Sequence, residues 1–221
     1  LDPKLPTFII HVHPSNSGKG NNITTDIMIY LSEKCKEENI DIIGFSSDGD
    51  NVMCKYHQNN YNLFDNSIFN ISENFLYFSD VLHIIKRGRY HFVKHLSKLN
   101  DNFSMINKLR NSLNLPKEIF SNESYTKMHE SLAVRLFNFE KLIILYNNSF
   151  YDELIYCLPF TIINEAVSNR LIDLDDRFYL FQILISYCNY LLKNNKIRNS
   201  SKYKIKPNLL LDLISTSYSF S

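Results

Sequence analysis

The sequence contains no Cys-x-x-Cys pair and no apolar run that approaches the length of a membrane span. Its four cysteines lie far apart, at Cys35, Cys54, Cys157 and Cys188, which argues against a structural zinc site and a disulfide-dense scaffold. A spanning helix needs roughly 18 or more consecutive apolar residues, and no basic-then-apolar secretory signal opens the chain. We therefore expect a soluble, intracellular protein without membrane contact, whose thiols are reduced and mostly buried.

The net charge is also small. The formal charge is +1 at pH 7 and the isoelectric point is about 7.8, so any site for a polyanion must be local. With 221 residues, of which 44% are hydrophobic, the chain can form one sizeable core, or a core and a helical annex. Because the chain begins at Leu1 rather than Met, we expect it to be a piece of a longer protein.

The N-terminal part has the pattern of an α/β fold. Phe8 to Val12 (FIIHV) predicts a buried strand, and apolar residues at four-residue spacing from Ile23 to Cys35 predict a helix. Ile40 to Ser46 and Phe75 to Phe78 predict a second and a third strand. A strand, a helix and a strand within about 35 residues form a βαβ unit with parallel strands.

Helices are predicted for the rest of the chain. One helix is expected from about residue 82 to 99, and only helices from about residue 104 onward. A second apolar stripe spans 176–192, and Pro159 and the segment LIDLDD are expected to separate it from the first. The first stripe comprises Met128, Leu132, Leu136, Phe139, Ile143 and Tyr146.

Two carboxylates follow the predicted strands. Asp48, in the turn SSDGDN, and Asp80 both fall beyond the carboxyl ends of strands, where sites form in open α/β sheets. Paired carboxylates can bind the divalent cations of two-metal phosphoryl transfer, and Asp50 can share this task. The alternatives are that Asp48 is an Asp-Gly turn residue and that Asp80 is the N-cap of the following helix.

Basic residues follow Asp80. His83, in the first helical turn, either orients a substrate or is an ordinary core or surface histidine. The five bases after it either form a solvated helix face or contact phosphates; they are Lys86, Arg87, Arg89, Lys94 and Lys98. Two other patterns are discounted. SGKGNN lacks the first glycine of a phosphate-binding loop, and His11 and His13 have no third metal ligand nearby in sequence.

GFSSDGDN, followed further along by FSDVLHIIKRGR, resembles the second half of the ribonuclease H-like catalytic core in P-element-type transposases, including the THAP-domain-linked ones. In that family a strand ends in Ser-Asp-x-Gly, and Ser-Asp-x-x-His-x-x-Lys-x-x-Arg opens a helix. The resemblance covers about residues 5 to 98. Mutator-like and hAT transposases are the next nearest, but Asp80 favours the P-element branch. The matching residues are Ser47, Asp48, Gly49, Ser79, Asp80, His83, Lys86 and Arg89.

The resemblance implies a partial ribonuclease H-like parallel or mixed sheet with flanking helices, followed by an all-α insertion domain that binds GTP in relatives. The expected domains are residues 1–100 for the core, 101–195 for the insertion, and 196–221 for a basic linker and a further segment. Mg²⁺ or Mn²⁺ as cofactor, DNA transposon ends and a homo-oligomer as partners, and a nuclear location are also implied.

The leading hypothesis is therefore the central portion of a DNA transposase that cleaves and transfers DNA strands. Asp48 and Asp80 would bind the metal, with His83 beside them, and the bases Lys86, Arg87, Arg89 and Lys94 would contact DNA. The chain departs from the family pattern because it lacks a first strand-borne Asp and a final Glu, so we expect no DNA cleavage by this chain alone. The alternative is a catalytically dead, transposon-derived module that binds DNA, a nucleotide or a protein.

Overall fold

The computed structural model describes the chain mainly from residue 76 onward. The described residues are 30, 33–39, 44–47, 76–98, 102–121, 123, 126, 129–194 and 205–220. The chain divides into two compact units, one of Leu1–Ile43 and Asp50–Phe75 and the other of Gly44–Gly49 and Leu76–Ser221. In the first unit, the described residues include a short helical segment, where Lys34 pairs with Glu37 one turn later.

The second unit consists of a pair of short strands followed by helices. The strands are β1 (Gly44–Ser47) and β2 (Leu76–Ser79). A short 3-10 helix, Lys117–Phe120, lies between the second and third α-helices. The α-helices in the described ranges are α1 (Val81–Leu96), α2 (Asn102–Leu113), α3 (Glu130–Leu136), α4 (Phe139–Asn147), α5 (Tyr151–Ser168), α6 (Leu174–Lys193) and α7 (Pro207–Phe220).

The predicted α/β fold is wrong: helices build the part of the chain that the structure describes, and a ribonuclease H-like sheet is not found there. Within this part, the sheet is limited to β1 and β2, of four residues each. Such a pair cannot supply a core alone, because an isolated two-stranded sheet is marginally stable at best in water. The core lies between the helices instead. The predicted first strand, Phe8 to Val12, lies outside the described residues.

The two strands run parallel, with Gly44 beside Leu76 and Ser47 beside Ser79. This is the pairing expected for the second and third predicted strands, although their bounds differ by a few residues from the prediction. Strand β2 also packs against α7. Within the described residues, the strand pair is therefore joined to the helices through the contact of β2 with α7.

Helix α1 forms because its apolar residues recur at three- and four-residue spacing. Ile84, Ile85, Phe92 and Leu96 are at most 1% exposed, and together they present one face to the core. The helix lies between Asp80, whose side chain caps it, and Ser97, whose N–H donates to the carbonyl of Val93. The prediction of a helix from about residue 82 to 99 is thus confirmed, with slightly different ends.

Helices α1 and α5 lie unusually close together at Gly88. A Cβ atom at this position would lie 2.7 Å from the ring of Phe160, which is fully buried. The backbone carbonyl of Gly88 accepts a hydrogen bond from the hydroxyl of Tyr156, with an oxygen–oxygen distance of 3.0 Å. The Tyr156 ring also stacks on Phe92. A glycine is required here because the backbone of α1 directly contacts aromatic side chains of α5.

Pro159 lies in the middle of α5, so the prediction that it separates two helical segments is wrong. Because proline has no N–H, the carbonyl of Ile155 lacks its helical donor. The hydroxyl of Tyr187, on α6, donates to this carbonyl at 3.0 Å. Burial raises the pKa of Tyr187, so this phenol remains a protonated donor at neutral pH. The neighbouring helix therefore compensates for the missing backbone hydrogen bond.

Replacing Tyr187 by Phe should lower the free energy of unfolding by about 1–3 kcal/mol, because the Ile155 carbonyl then loses its donor in a partly buried place. Urea denaturation followed by circular dichroism measures this loss. In a Pro159→Ala background the backbone N–H of residue 159 returns, and the same substitution should cost less. Equal costs in the two backgrounds would show that the two groups are not coupled.

The first predicted apolar stripe is also wrong, because it is divided between two helices. Helix α3 ends at Leu136, and the side chain of Asn138 caps α4 by accepting from the N–H of Lys141. The new helix has a different rotational phase. Ile143 and Tyr146 are consequently 60% and 62% exposed, while the buried residues of α4 are Leu142 and Leu145.

The turn between α5 and α6 corresponds to the segment LIDLDD, which was predicted to separate helices; this prediction is confirmed. Asp173 caps α6 by accepting from the N–H of Asp176 at 2.9 Å. The guanidinium of Arg177 donates to the carbonyls of Ala166, Asn169 and Ile172. A cation at the carboxyl end of α5 also interacts favourably with the helix dipole.

Residues on both sides of the predicted domain boundary at residue 100 belong to the same compact unit, as do the residues of α7, which packs against α6. None of the helices in the described ranges combines the length and the apolar character that a bilayer crossing requires.

Candidate functional site

Asp80 caps α1 directly after β2. Its Oδ1 atom accepts from the N–H of Leu82 at 2.9 Å, and its backbone carbonyl accepts from the N–H of Ile84. This is the N-cap role that the sequence offered as the alternative to metal binding. One carboxylate oxygen of Asp80 is therefore committed to starting the helix.

The metal site predicted around Asp80 depends on residues that the structure does not describe. Asp48, its expected partner, lies outside the described residues, as does Asp50. Within the part that the structure describes, no three His, Cys, Asp or Glu side chains are grouped closely enough to hold a metal. Mg²⁺ or Mn²⁺ as cofactor therefore stays a prediction. The parallel register is relevant to Asp48 because Ser47, the residue before it, lies beside Ser79, the residue before Asp80.

His83 lies in the first turn of α1. Its charge acts on Asp212 of α7, and burial raises the pKa of that carboxyl while Arg87 and His83 lower it to a smaller extent. The predicted role of His83 in orienting a substrate stays a prediction.

Substituting Asp80 by Ala should lower the free energy of unfolding by about 1 kcal/mol, whereas Asp80→Asn should cost only a few tenths, because asparagine caps helices as well as aspartate does. Denaturant titration of the variants measures both values. If Asn costs as much as Ala, the negative charge rather than the cap hydrogen bond is the important property of this residue.

Arg89, predicted to contact DNA, is 1% exposed and cannot reach a phosphate backbone in this structure, so that prediction is corrected. Its Nη1 atom donates to the carbonyl of Ile119 at 2.7 Å, and its Nη2 atom donates to that of Thr126 at 2.5 Å. Burial lowers the pKa of the guanidinium. Backbone carbonyls around the 3-10 helix thus accept from both Nη atoms, although the buried Nε atom has no hydrogen-bond partner among the described residues. Arg89 joins that segment to α1.

Arg89→Lys should lower the free energy of unfolding by about 3 kcal/mol, because an ammonium cannot reproduce the two-pronged donation and leaves carbonyls without donors. Arg87→Lys is the matched control: it keeps a charge beside Asp212 in a partly exposed pair and should cost about 1 kcal/mol or less. Equal losses for the two variants would exclude a special role for the Arg89 contacts.

Two other predicted DNA contacts form ion pairs with neighbouring helices. Lys86 lies 3.0 Å from Glu130 of α3, and Arg87 lies 2.8 Å from Asp212 of α7. Both side chains are mostly covered, with 14% and 32% of their surface exposed. Each pair holds a helix against α1, so these bases are already neutralised by carboxylates of the same chain.

The exposed bases lie further along, at the carboxyl end of α1. Lys94 and Lys98 are exposed, and the ammonium of Lys94 lies 5.8 Å from the ring centre of Tyr90. Because residues three, four and seven apart share one side of a helix, His91 and His95 lie on the same face. Lys206, directly before α7, is exposed and is one of the positive charges that lower the pKa of His91. We name this set the basic surface: His91, Lys94, His95, Lys98 and Lys206.

The electrostatics of His91 show how positive this surface is. The pKa of His91 is lowered to about 4; burial is the largest cause, and Lys206, Arg87, His95 and Lys94 contribute as positive neighbours. The helical spacing could have identified His91 and His95 from the sequence, but no sequence pattern connects Lys206 to them.

Comparison of the chain with models of known protein families, with curated proteins and with solved structures gives no match. The resemblance to P-element-type transposases therefore remains a prediction from the two motifs.

Proposed function

We propose that this chain binds DNA through the basic surface, and that its described residues hold the DNA backbone rather than cut it. The main support is the group of bases near the carboxyl end of α1, where Lys94 and Lys98 are exposed and the partly buried His91 and His95 lie on one side of the helix. A local excess of bases on a protein of net charge +1 is the pattern expected of a phosphate-binding face.

The motif residues support a binding role over a catalytic one. Asp80 caps α1, and Arg89 is buried against backbone carbonyls, so two members of the transposase-like motif have structural roles. The bases left accessible lie further along α1 and at the start of α7. This arrangement agrees with the alternative function, a transposon-derived module whose bases matter more than its carboxylates.

DNA is preferred among polyanions because the transposase-like motifs imply it. An active transposase is the second candidate, and the observation that favours it is the parallel register that brings Ser47 beside Ser79. If that candidate is correct, Mn²⁺ should raise the melting temperature of the chain. This increase should be absent in Asp48→Asn and in Asp80→Asn. GTP binding, a homo-oligomer and a nuclear location stay predictions.

The double variant Lys94→Gln, Lys98→Gln should bind a short DNA duplex more weakly at every salt concentration. The slope of log K against log salt should fall by about 2, because each phosphate-contacting lysine contributes about 1 through counterion release. Fluorescence anisotropy over a salt series measures both quantities.

Lys108→Gln, Lys193→Gln is the matched control, because it removes the same charge from exposed lysines of two other helices, α2 and α6. The control should bind nearly as the unmodified chain does. If both double variants lose the same affinity, binding follows net charge rather than the basic surface, and the proposal fails. It also fails if the unmodified chain does not bind at low salt.

A further inference from the structure

We propose that Asp212 occupies the position of a DNA phosphate in the free protein, and that a phosphate displaces it from Arg87 when DNA binds. This inference rests on the proposed function. It adds Arg87 as a DNA contact beside the basic surface, together with a carboxylate of the same chain that competes with DNA. The contact that carries it is the ion pair in which the Nη1 atom of Arg87 lies 2.8 Å from the Oδ2 atom of Asp212.

Arg87 lies on the same side of α1 as the basic surface. It precedes His91, Lys94 and Lys98 by four, seven and eleven residues. Such spacings place side chains on one side of an α-helix. The side chain of Arg87 is 32% exposed, so it is held at this face without being enclosed. A DNA backbone that contacts Lys94 and follows α1 toward its amino end would therefore meet Arg87 next.

The chemistry of the guanidinium makes the two partners interchangeable. An arginine donates charge-assisted hydrogen bonds to a carboxylate and to a phosphate through the same planar set of N–H groups. Asp212 therefore accepts from Arg87 in the way that a phosphate oxygen would. Because the two acceptors cannot use the same N–H group at once, DNA must break the ion pair to reach this donor. Asp212 should consequently lower the affinity of the chain for DNA.

The surroundings of Asp212 support an exchange. Burial raises the pKa of this carboxyl, and the charge and the hydrogen bond of Arg87 oppose that shift. Partial burial thus disfavours the carboxylate that holds Arg87. A phosphate on the exposed side of α1 has no such disadvantage, because it stays in contact with water.

The other ion pair of α1 gives a contrast. Lys86 lies 3.0 Å from Glu130 of α3. It precedes Arg87 by one residue, so it lies about 100° away around the helix. Its side chain is only 14% exposed. This pair therefore has the same charges as the pair of Arg87 and Asp212 but lies away from the basic surface, which makes Glu130 the matched control.

The experiment compares the duplex affinities of Asp212→Asn and Glu130→Gln by fluorescence anisotropy over a salt series. Asp212→Asn should bind about threefold to fivefold more tightly than the unmodified chain, which is the amount by which a partly exposed ion pair would oppose binding. Glu130→Gln removes the same charge and should bind as the unmodified chain does. Equal gains in the two variants would assign the effect to net charge and overturn the inference.

Arg87→Gln provides an independent readout. It removes one phosphate contact, so affinity should fall and the slope of log K against log salt should decrease by about 1. In this background Asp212→Asn should no longer increase the affinity, because no guanidinium remains to be released. A gain of the same size in both backgrounds would show that Asp212 acts without Arg87, and the inference would fail.

An NMR measurement on the unmodified chain tests the exchange without relying on the folding of Asp212→Asn. The signal of the Arg87 guanidinium, identified by its absence from Arg87→Lys, should shift when the chain is saturated with DNA. An unchanged signal, with binding that still depends on Lys94 and Lys98, would overturn the exchange and leave the proposed function standing. Failure of the unmodified chain to bind DNA would overturn the proposed function itself.

Discussion

The arrangement of the second unit depends on the close approach of α1 to α5 at Gly88. Because the backbone of α1 contacts Phe160 directly, the contact fixes the orientation of the residues next to Gly88 on α1. Arg89 points into the carbonyls near the 3-10 helix, and Arg87 points toward α7. Most faces of the central helix are thus occupied by packing, and only its carboxyl end offers exposed charge. Any ligand of α1 must therefore bind to the side chains that helix packing leaves exposed.

Local signals predicted α1 well, because its cap and its apolar spacing lie within the helix itself. They could not predict the burial of Arg89. An arginine on a helix is ordinarily exposed, and here the carbonyls of Ile119 and Thr126 make burial tolerable. Those acceptors lie beyond α2 in the sequence, so the residues next to Arg89 in the sequence do not indicate that it is buried. The same applies to Lys206 in the basic surface.

The two errors in the helical part have a related cause. Proline rules are local, but the donor that satisfies Ile155 comes from Tyr187 on another helix. The prediction of a single apolar stripe through Ile143 assumed one continuous helix. In the structure, Asn138 caps a new helix, and a different side of that helix is buried. In both cases periodicity identified helices correctly. The starts of the helices and their buried sides depend on contacts with other helices and on caps, which the spacing of apolar residues does not reveal.

The fold-class error has a functional consequence. The pattern Ser-Asp-x-x-His-x-x-Lys-x-x-Arg suggested a catalytic sheet edge. The same spacing also fits a capped helix whose residues have structural roles. Asp80 then starts the helix, Lys86 pairs with Glu130, and Arg89 holds the 3-10 segment. With those groups engaged in the fold, the exposed members of the basic surface are Lys94 and Lys98, at the carboxyl end of α1, and Lys206, before α7. They are the side chains on which the proposed DNA contact depends.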